Sequence, residues 1–295
     1  MKSSRRDFIK KSGLFGAAML ALPKDFYGKT DSFPEFIERI GVCTDLSNNA
    51  ILASAGYIFI EEAVRNFLVP DADEPGFQNR LALLKQSKLP VEVCNVFIPG
   101  NLKSVGPGAV HDEILKFAEI VFRRAALAGV KIIVFGSGGS RSIPKDWSVD
   151  ESTAQFVSLG KQMAIIAERY NVVIVLEPLN SKECNFINTA AEGAAIVRKI
   201  EHKSFRLIVD IYHMMVENET PEEIYKYGDL VYHVHIAEKS GRSAPGVNNE
   251  DFRPFFKALK DTGYKGRISI ECNWTDLEKQ SGLAIQTIKR QLSEV

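Results

Sequence analysis

A single α/β domain folded as a closed (β/α)8 barrel is the architecture this sequence predicts, on three observations. Strand-like and helix-like segments alternate eight times between residues 40 and 292, and such alternation gives a parallel sheet with crossover helices. The strand-like segments, Val172-Val173-Ile174-Val175-Leu176 above all, are continuously apolar and mostly β-branched, the composition of strands buried on both faces. That run meets a carboxylate, Glu177, and then Pro178, and three later strands also end in chemically active side chains. A barrel of parallel strands gathers its catalytic groups at those C-terminal ends. An open doubly wound sheet is the competing architecture, but no Gly-x-Gly-x-x-Gly follows the first strand, so its dinucleotide-binding form has no support.

The elements follow in order. Ile40-Gly41-Val42-Cys43 is the first strand, and residues 48–55 form a short helix closed by Gly56. Residues 57–62 are the second strand, ending in Glu61 and Glu62. Helical spacing runs over residues 77–86 before Pro90, and the third strand spans 91–96. An amphipathic helix covers 109–128, with Ile114, Ala118, Val121, Phe122 and Ala125 on one face and Gly129 as its stop. The fourth strand is 131–135, followed by a helix over 152–170 that turns Phe156, Leu159, Met163 and Ile166 inward. After the fifth strand, Asn188 is expected to cap a helix running to Ile200, and residues 205–210 are the sixth strand. Thr220-Pro221-Glu222-Glu223 reads as a capping box with proline at the first helical position. Residues 230–236 are the seventh strand, 251–262 a helix closed by Gly263, 267–271 the eighth strand and 277–292 the last helix.

Thirty-seven basic and 37 acidic residues leave 295 residues with no net charge, and without basic runs there is no footprint for a nucleic acid. No stretch approaches the roughly 20 apolar residues that span a bilayer. The first 30 residues are not expected to belong to the fold. Ser4-Arg5-Arg6-Asp7-Phe8-Ile9-Lys10 precedes a short apolar run from Gly13 to Leu22, the make-up of a signal peptide, and the arginine pair resembles the twin-arginine export signal. That resemblance implies a folded passenger of the twin-arginine export machinery, as suits a metalloprotein, and a periplasmic destination; no Ala-x-Ala site marks the cleavage, and the mature start is expected between Ala21 and Thr30. Residues 31–295 then form one domain, since no linker rich in Pro, Gly or Ser interrupts them. Cys43, Cys94 and Cys272 lie in or beside strands and read as buried free thiols. A Cys43–Cys272 bridge is the alternative if the first and last strands are neighbours in an oxidising compartment.

Alternate side chains of a strand share a face. Val175 and Glu177 therefore point one way, as do Ile208 and Asp210, His233 and His235, and Ser269 and Glu271. If those faces point inward, the barrel mouth collects Glu177, Asp210, His235 and Glu271. Three carboxylates in one pocket need a cation to stay ionised together. Three hard oxygens and one imidazole suit Mn²⁺ first, or Mg²⁺ or Co²⁺, better than Zn²⁺. His233 shares the face of His235 but lies deeper, and is expected in the barrel interior without a ligand role.

These motifs resemble the xylose-isomerase-like barrels of sugar phosphate isomerases and epimerases, and among them the ketose 3-epimerases, over residues 40–274. They are Glu177-Pro-Leu-Asn180 with Glu183, Asp210-Ile-Tyr-His213, His233-Val-His235 with Arg242, and Ile270-Glu271. The resemblance implies that Glu177, Asp210, His235 and Glu271 hold one divalent metal, that Glu183, His213 and Arg242 hold substrate oxygens, and that the chain assembles as a homo-oligomer, a dimer or tetramer. The step from His235 to Arg242 is one residue longer than in those epimerases, which puts the placement of Arg242 in question.

The expected activity is that of a sugar isomerase or epimerase. A metal chelating a carbonyl and a neighbouring hydroxyl makes the adjacent C–H acidic, and Glu177 or Glu271 removes its proton to give a metal-bound enediolate. Two opposed bases permit epimerisation, and one permits isomerisation. Gly136-Ser137-Gly138-Gly139-Ser140-Arg141 reads as a flexible rim loop, with a phosphate cradle as the alternative. Export favours a free keto-sugar or an oxidised glycoside as the small-molecule carbohydrate partner. Glu61 and Glu62 are expected as a substrate contact or as a salt-bridged rim. A metal-dependent lyase of oxidised glycosides and a non-catalytic exported sugar-binding barrel are the competing functions. Five histidines are too few for a histidine-rich, three-zinc phosphodiesterase on a similar barrel.

Overall fold

A computed structural model describes residues 38–295, and the N-terminal segment with Arg5 and Arg6 lies outside the described residues. Eight parallel strands close into a barrel in sequence order: β1 Ile40–Cys43, β2 Phe59–Ala63, β3 Val91–Asn95, β4 Ile132–Phe135, β5 Val173–Leu176, β6 Phe205–Asp210, β7 Val231–Ile236 and β8 Arg267–Ile270. β1 pairs with both β2 and β8, and this closes the sheet. Such closure removes both sheet edges. The fold is the (β/α)8 barrel that the alternation predicts. Among the described residues, no helix is long and apolar enough to cross a membrane.

Two apolar layers hold it together. Inside the barrel, Phe59, Val93, Ile132, Val134, Val175 and Ile208 pack on one another. The ring of Phe59 needs the missing side chain of Gly41, because a Cβ there would sit 2.5 Å from it. Outside, the helices bury their apolar stripes against the strands, as with Phe122 and Phe156 around Phe97 and Phe135. Each large side chain removed from water contributes about 1.5–3 kcal/mol.

Helix stops were readable and starts less so. Gly56 and Gly129 end their helices in the left-handed region, at φ 94° and 83°, which glycine enters without steric cost. The helix expected from residue 77 begins at Glu74, because the Asp73 carboxylate accepts from Gly76 N at 3.0 Å. The helix expected from 152 begins at Val149, capped by Ser148. Thr189, not Asn188, caps Ala190–Ile200, through a capping box with Glu192. The Asn188 amide instead donates to the carbonyls of Leu179 and Cys184, both at 2.7 Å. Around Thr220 there is no side-chain capping box, since Glu223 pairs with Lys226 at 2.6 Å and Pro221 alone sets the helical turn.

All four cysteines are free. Cys43 reaches the barrel interior beside Glu61 and His235, whereas Cys272 packs on the outer core. The two thiols lie on opposite faces of the sheet, so no bridge forms between the neighbouring β1 and β8.

Candidate active site

The C-terminal ends of β5 to β8 bring Glu177, Asp210, His235 and Glu271 together, each offering one donor atom within 4.8 Å of the others. His235 Nδ1 is 3.0 Å from Glu177 Oε1, 3.2 Å from Glu271 Oε2 and 3.9 Å from Asp210 Oδ2. Asp210 also ends β6 by capping the short helix Ile211–Val216. Its Oδ1 accepts from Tyr212 N at 2.8 Å and His213 N at 3.3 Å. Its Oδ2 is buried without a hydrogen-bond partner and faces the cluster. A buried carboxylate oxygen without a hydrogen bond is costly unless positive charge meets it, and three carboxylates share this pocket with the single guanidinium of Arg242 beside them. The donor set therefore fits a divalent cation.

The electrostatics of the four groups are unequal. Burial pushes the Glu177 carboxyl above its ordinary pKa, with the charge of Glu271 adding to the rise. Burial acts on Glu271 in the same sense, but His235 and Arg242 outweigh it and hold that carboxyl down at about 2. The His235 imidazole is depressed by burial but lifted further by Glu61 and Glu271, so it is held well above the usual histidine range.

Above the cluster opens a cavity of about 480 Å³ whose walls include Glu177, Glu183, His213, Arg242 and Glu271. Asp210 and His235 lie beneath them, buried. His213 Nδ1 accepts from Asn180 N at 3.2 Å and faces Asn180 Nδ2 at 2.8 Å. The neutral ring then carries its hydrogen on Nε2, which is buried without a hydrogen-bond partner, 3.5 Å from Asp210 Oδ2. Asn180 Nδ2 also donates to Glu183 Oε1 at 2.8 Å.

Arg242 is in the site despite its longer spacing. Gly241 at φ 69° and Arg242 at φ 50° turn the chain back toward the cavity. The guanidinium then bonds the Glu271 carboxylate, stands 3.5 Å from Asp210 Oδ2 and 3.7 Å from Glu183 Oε1, and lies over the Tyr212 ring at 4.7 Å. Two other cavities, of about 740 Å³ beside His111 and Gln155 and about 430 Å³ beside Tyr232 and Arg267, bring together no comparable set of donors.

Several residues differ from their sequence readings. Glu61 is neither substrate contact nor rim: it is fully buried inside the barrel, between His233 and His235. Glu62 is no substrate contact but does form the expected salt bridge: it pairs with Arg80 at 3.4 Å and accepts from Leu46 N at 3.1 Å. Arg141 is fully buried and donates to the carbonyls of Gly136, Glu177, Phe186 and Ile187, so it ties the loop down and holds no phosphate. His233 lies in the interior, as expected. Asn95 went unnoticed, and Gly136 was read only as part of the rim loop. Asn95 Nδ2 donates to Glu271 Oε1 at 3.0 Å, and its signal was a polar residue ending β3 as Glu177 follows β5. Gly136 leaves room for Glu177, whose Oε2 would lie 2.2 Å from a Cβ there.

The chain belongs to the xylose isomerase-like TIM barrel family, whose profile matches residues 50–291. It is 33% identical over 166 residues to L-ribulose 3-epimerase of Methylomonas sp. (strain DH-1), covering 55% of this chain and 56% of that one. It is 34% identical over 107 residues to 3-dehydro-D-guloside 4-epimerase of Escherichia coli (strain K12), covering 36% and 40%. The aligned stretches thus span about half the length of these curated relatives. Among solved structures, D-allulose 3-epimerase from Methylomonas sp. in complex with D-allulose matches with a TM-score of 0.72 at 25% identity, over 86% of this chain and 96% of that one. The 3-keto-D-glucoside 4-epimerase from E. coli shares the fold, with a TM-score of 0.71 at 21% identity over 86% and 99%.

Proposed function

We propose that this protein is a divalent-metal-dependent sugar epimerase or isomerase that moves a proton next to a carbonyl, on a free keto-sugar or an oxidised glycoside. The observation that carries the reading is the cluster of Glu177, Asp210, His235 and Glu271 under an open cavity, with Asp210 Oδ2 free of hydrogen bonds and Arg242 3.5 Å away. Those four side chains would hold the cation, with Mn²⁺ favoured and Mg²⁺ or Co²⁺ also matched by the donor set. Bound there, a divalent ion polarises a carbonyl and makes the neighbouring C–H acidic.

The remaining work falls to the protein. One of Glu177 and Glu271 takes the proton, and the C–H electron pair moves toward the carbonyl oxygen to give an enediolate. The other carboxylic acid returns a proton to the opposite face, which inverts the centre. The two residues stand beyond β5 and β8, three strands apart around the mouth, which supports attack from two sides. His213 Nε2–H and Arg242 donate to substrate oxygens, and Glu183 accepts from a hydroxyl.

An uncharged substrate is supported by the cations around the cavity. The charge of Arg242 is offset by Glu183, Asp210 and Glu271, Arg65 pairs with Asp71 at 2.7 Å, and Arg141 is turned beneath the loop. The names of the relatives, epimerases of L-ribulose, D-allulose and keto-glycosides, support the same class. The Arg5-Arg6 leader supports twin-arginine export to the periplasm with a mature domain from about residue 31, and the family resemblance supports a dimer or tetramer.

Solvent exchange tests the reading. The Mn²⁺-loaded protein is incubated in D₂O with free ketoses, aldoses and 3-keto-glycosides, and C–H signals are followed by NMR. Metal-dependent exchange in one substrate class is expected, falling about 100- to 10,000-fold in Glu271→Gln. Product stereochemistry then separates epimerase from isomerase. No exchange in any class with metal bound would overturn it in favour of a lyase or a sugar-binding barrel.

A further inference from the structure

Below the donor cluster, one carboxylate joins two histidines inside the barrel. His235 Nε2 lies 2.9 Å from Glu61 Oε1, and His233 Nε2 lies 3.0 Å from Glu61 Oε2. Ser269 Oγ is 3.2 Å from the same nitrogen of His233. Glu61, His233, His235 and Ser269 are all fully buried, and the two imidazole rings stand nearly perpendicular, at 84°. Glu61 is not part of the cavity wall. It touches the candidate centre only through the back of His235.

An ionised carboxylate only accepts hydrogen bonds. Each Glu61 oxygen lies at hydrogen-bond distance from an imidazole nitrogen, Oε1 from His235 Nε2 and Oε2 from His233 Nε2. The imidazole nitrogens facing it therefore carry the hydrogens. With Nε2 committed as donor, a neutral His235 has its lone pair on Nδ1, the atom that faces Glu177, Asp210 and Glu271. The opposite tautomer would set a lone pair against the Glu61 carboxylate and a hydrogen against the place a cation would occupy. His233, itself in contact with Ser269 Oγ, holds the second oxygen and so restrains the carboxylate beside His235.

We propose that Glu61 is a positioning residue: it fixes His235 in the Nε2–H form with Nδ1 as the donor, and so preorganises the four-residue centre. The proposal rests on the cation-centre reading above. A purely structural role fits less well. A buried ion pair is often no more stabilising than apolar packing, and inward positions elsewhere in this barrel are filled by Val93, Val134, Val175 and Ile208. A histidine ligand held from behind by a carboxylate is the arrangement that raises its basicity and fixes its ring.

The test compares wild type, Glu61→Gln, Glu61→Asp and Val175→Ala by calorimetric titration of the metal-free proteins with Mn²⁺. Histidine ¹⁵N NMR of the diamagnetic Mg²⁺-loaded forms reports the tautomer. Glu61→Gln is expected to bind Mn²⁺ about 10- to 100-fold more weakly, and to lose the single Nε2–H signature of His235. Val175→Ala is expected to lower stability with Mn²⁺ affinity unchanged. If Glu61→Gln does not fold, Glu61→Asp, whose shorter side chain draws the oxygens back, is expected to show the same two changes more weakly. Equal affinity and an unchanged His235 signature in the folded variant would overturn the proposal, as would weaker binding with the tautomer intact. Failure of the wild type itself to bind Mn²⁺ would instead overturn the cation-centre reading on which it rests.

Discussion

Inward positions on β3 to β6 carry Val93, Ile132, Val134, Val175 and Ile208, whereas those on β7, β8, β1 and β2 include His233, His235, Ser269, Cys43 and Glu61. Apart from Cys43, at the cluster's edge, both sets are shut away from water. Burial alone therefore does not distinguish the halves. The apolar half needs only shape, and neighbours such as Phe59 and the void at Gly41 supply it. The polar half needs every donor matched to an acceptor, because an unmatched polar atom at that depth costs about 1–3 kcal/mol. It meets most of this demand by running one carboxylate between two histidines, with His233 Nδ1 left without a hydrogen bond. One half is built for stability and the other for polar matching, and the candidate centre above them draws Glu177 and Asp210 from β5 and β6 and His235 and Glu271 from β7 and β8.

The division can be broken most forcefully at Phe59, the apolar side chain that β2 contributes to the inner layer. Phe59→Ala is expected to destabilise the protein by about 3–5 kcal/mol, through lost burial and the cavity left opposite Gly41. Under conditions where the variant stays folded, its Mn²⁺ dissociation constant should remain within about threefold of wild type, since shape-only positions do not set ligand orientation. Urea unfolding and calorimetry measure the two quantities. A parallel loss of stability and affinity would show that the halves are one mechanical unit.

The same division marks what could be read in advance. Runs such as Val172-Val173-Ile174-Val175-Leu176 admit little but a strand buried on both faces, and the parity of Ile208 with Asp210 or His233 with His235 follows from the two-residue period. Those two facts suffice to find four donors. Glu61 was harder, because Tyr57-Ile58-Phe59-Ile60 is apolar at every position and gives no sign of which face turns inward. Its partner histidines lie more than 170 residues away, at separations that only barrel closure bridges. Register shifts beside Glu61 on β2 and between Leu207 and Ile208 on β6 also leave no local trace. Arg242 depended on the left-handed turn at Gly241, and Arg141 on loop carbonyls that its own segment does not encode.

Gly136 sharpens the contrast with a smaller effect. A methyl group there meets the Glu177 Oε2 at 2.2 Å and its Cδ at 3.4 Å, and Leu179 Cδ2 at 3.5 Å. The clash is with the end of a side chain, so Gly136→Ala is expected to move the carboxylate and leave the barrel standing. Substrate C–H exchange should fall about 100-fold, the cost of a displacement near 1 Å at a reacting group, with the thermal midpoint close to wild type. A large drop in the midpoint with exchange per folded molecule intact would assign Gly136 to folding instead.

The smallest effect concerns a carboxylate buried without histidines. Glu219 accepts from Ala190 N at 2.9 Å, and burial, with Glu223, Glu192 and Glu217 nearby, pushes its carboxyl up to about 7. Glu61, more deeply buried, is pulled the other way by His235 and His233. The comparison isolates what the cationic partners do. A folded-state pKa above the unfolded one means that the native chain binds the extra proton, so this contribution to stability is full below about 4.5 and is lost as pH rises through about 7. Glu219→Gln keeps an acceptor for Ala190 N and removes the titration. Between pH 4.5 and 8 the wild type should therefore lose about 1 kcal/mol more stability than the variant, a figure already reduced for the partial solvent exposure of the group. Urea unfolding of both proteins at pH 5 and pH 8 measures the difference. Identical losses would mean that Glu219 is ionised in the folded protein at pH 5, and that partners other than histidine can hold a carboxylate charged at this depth.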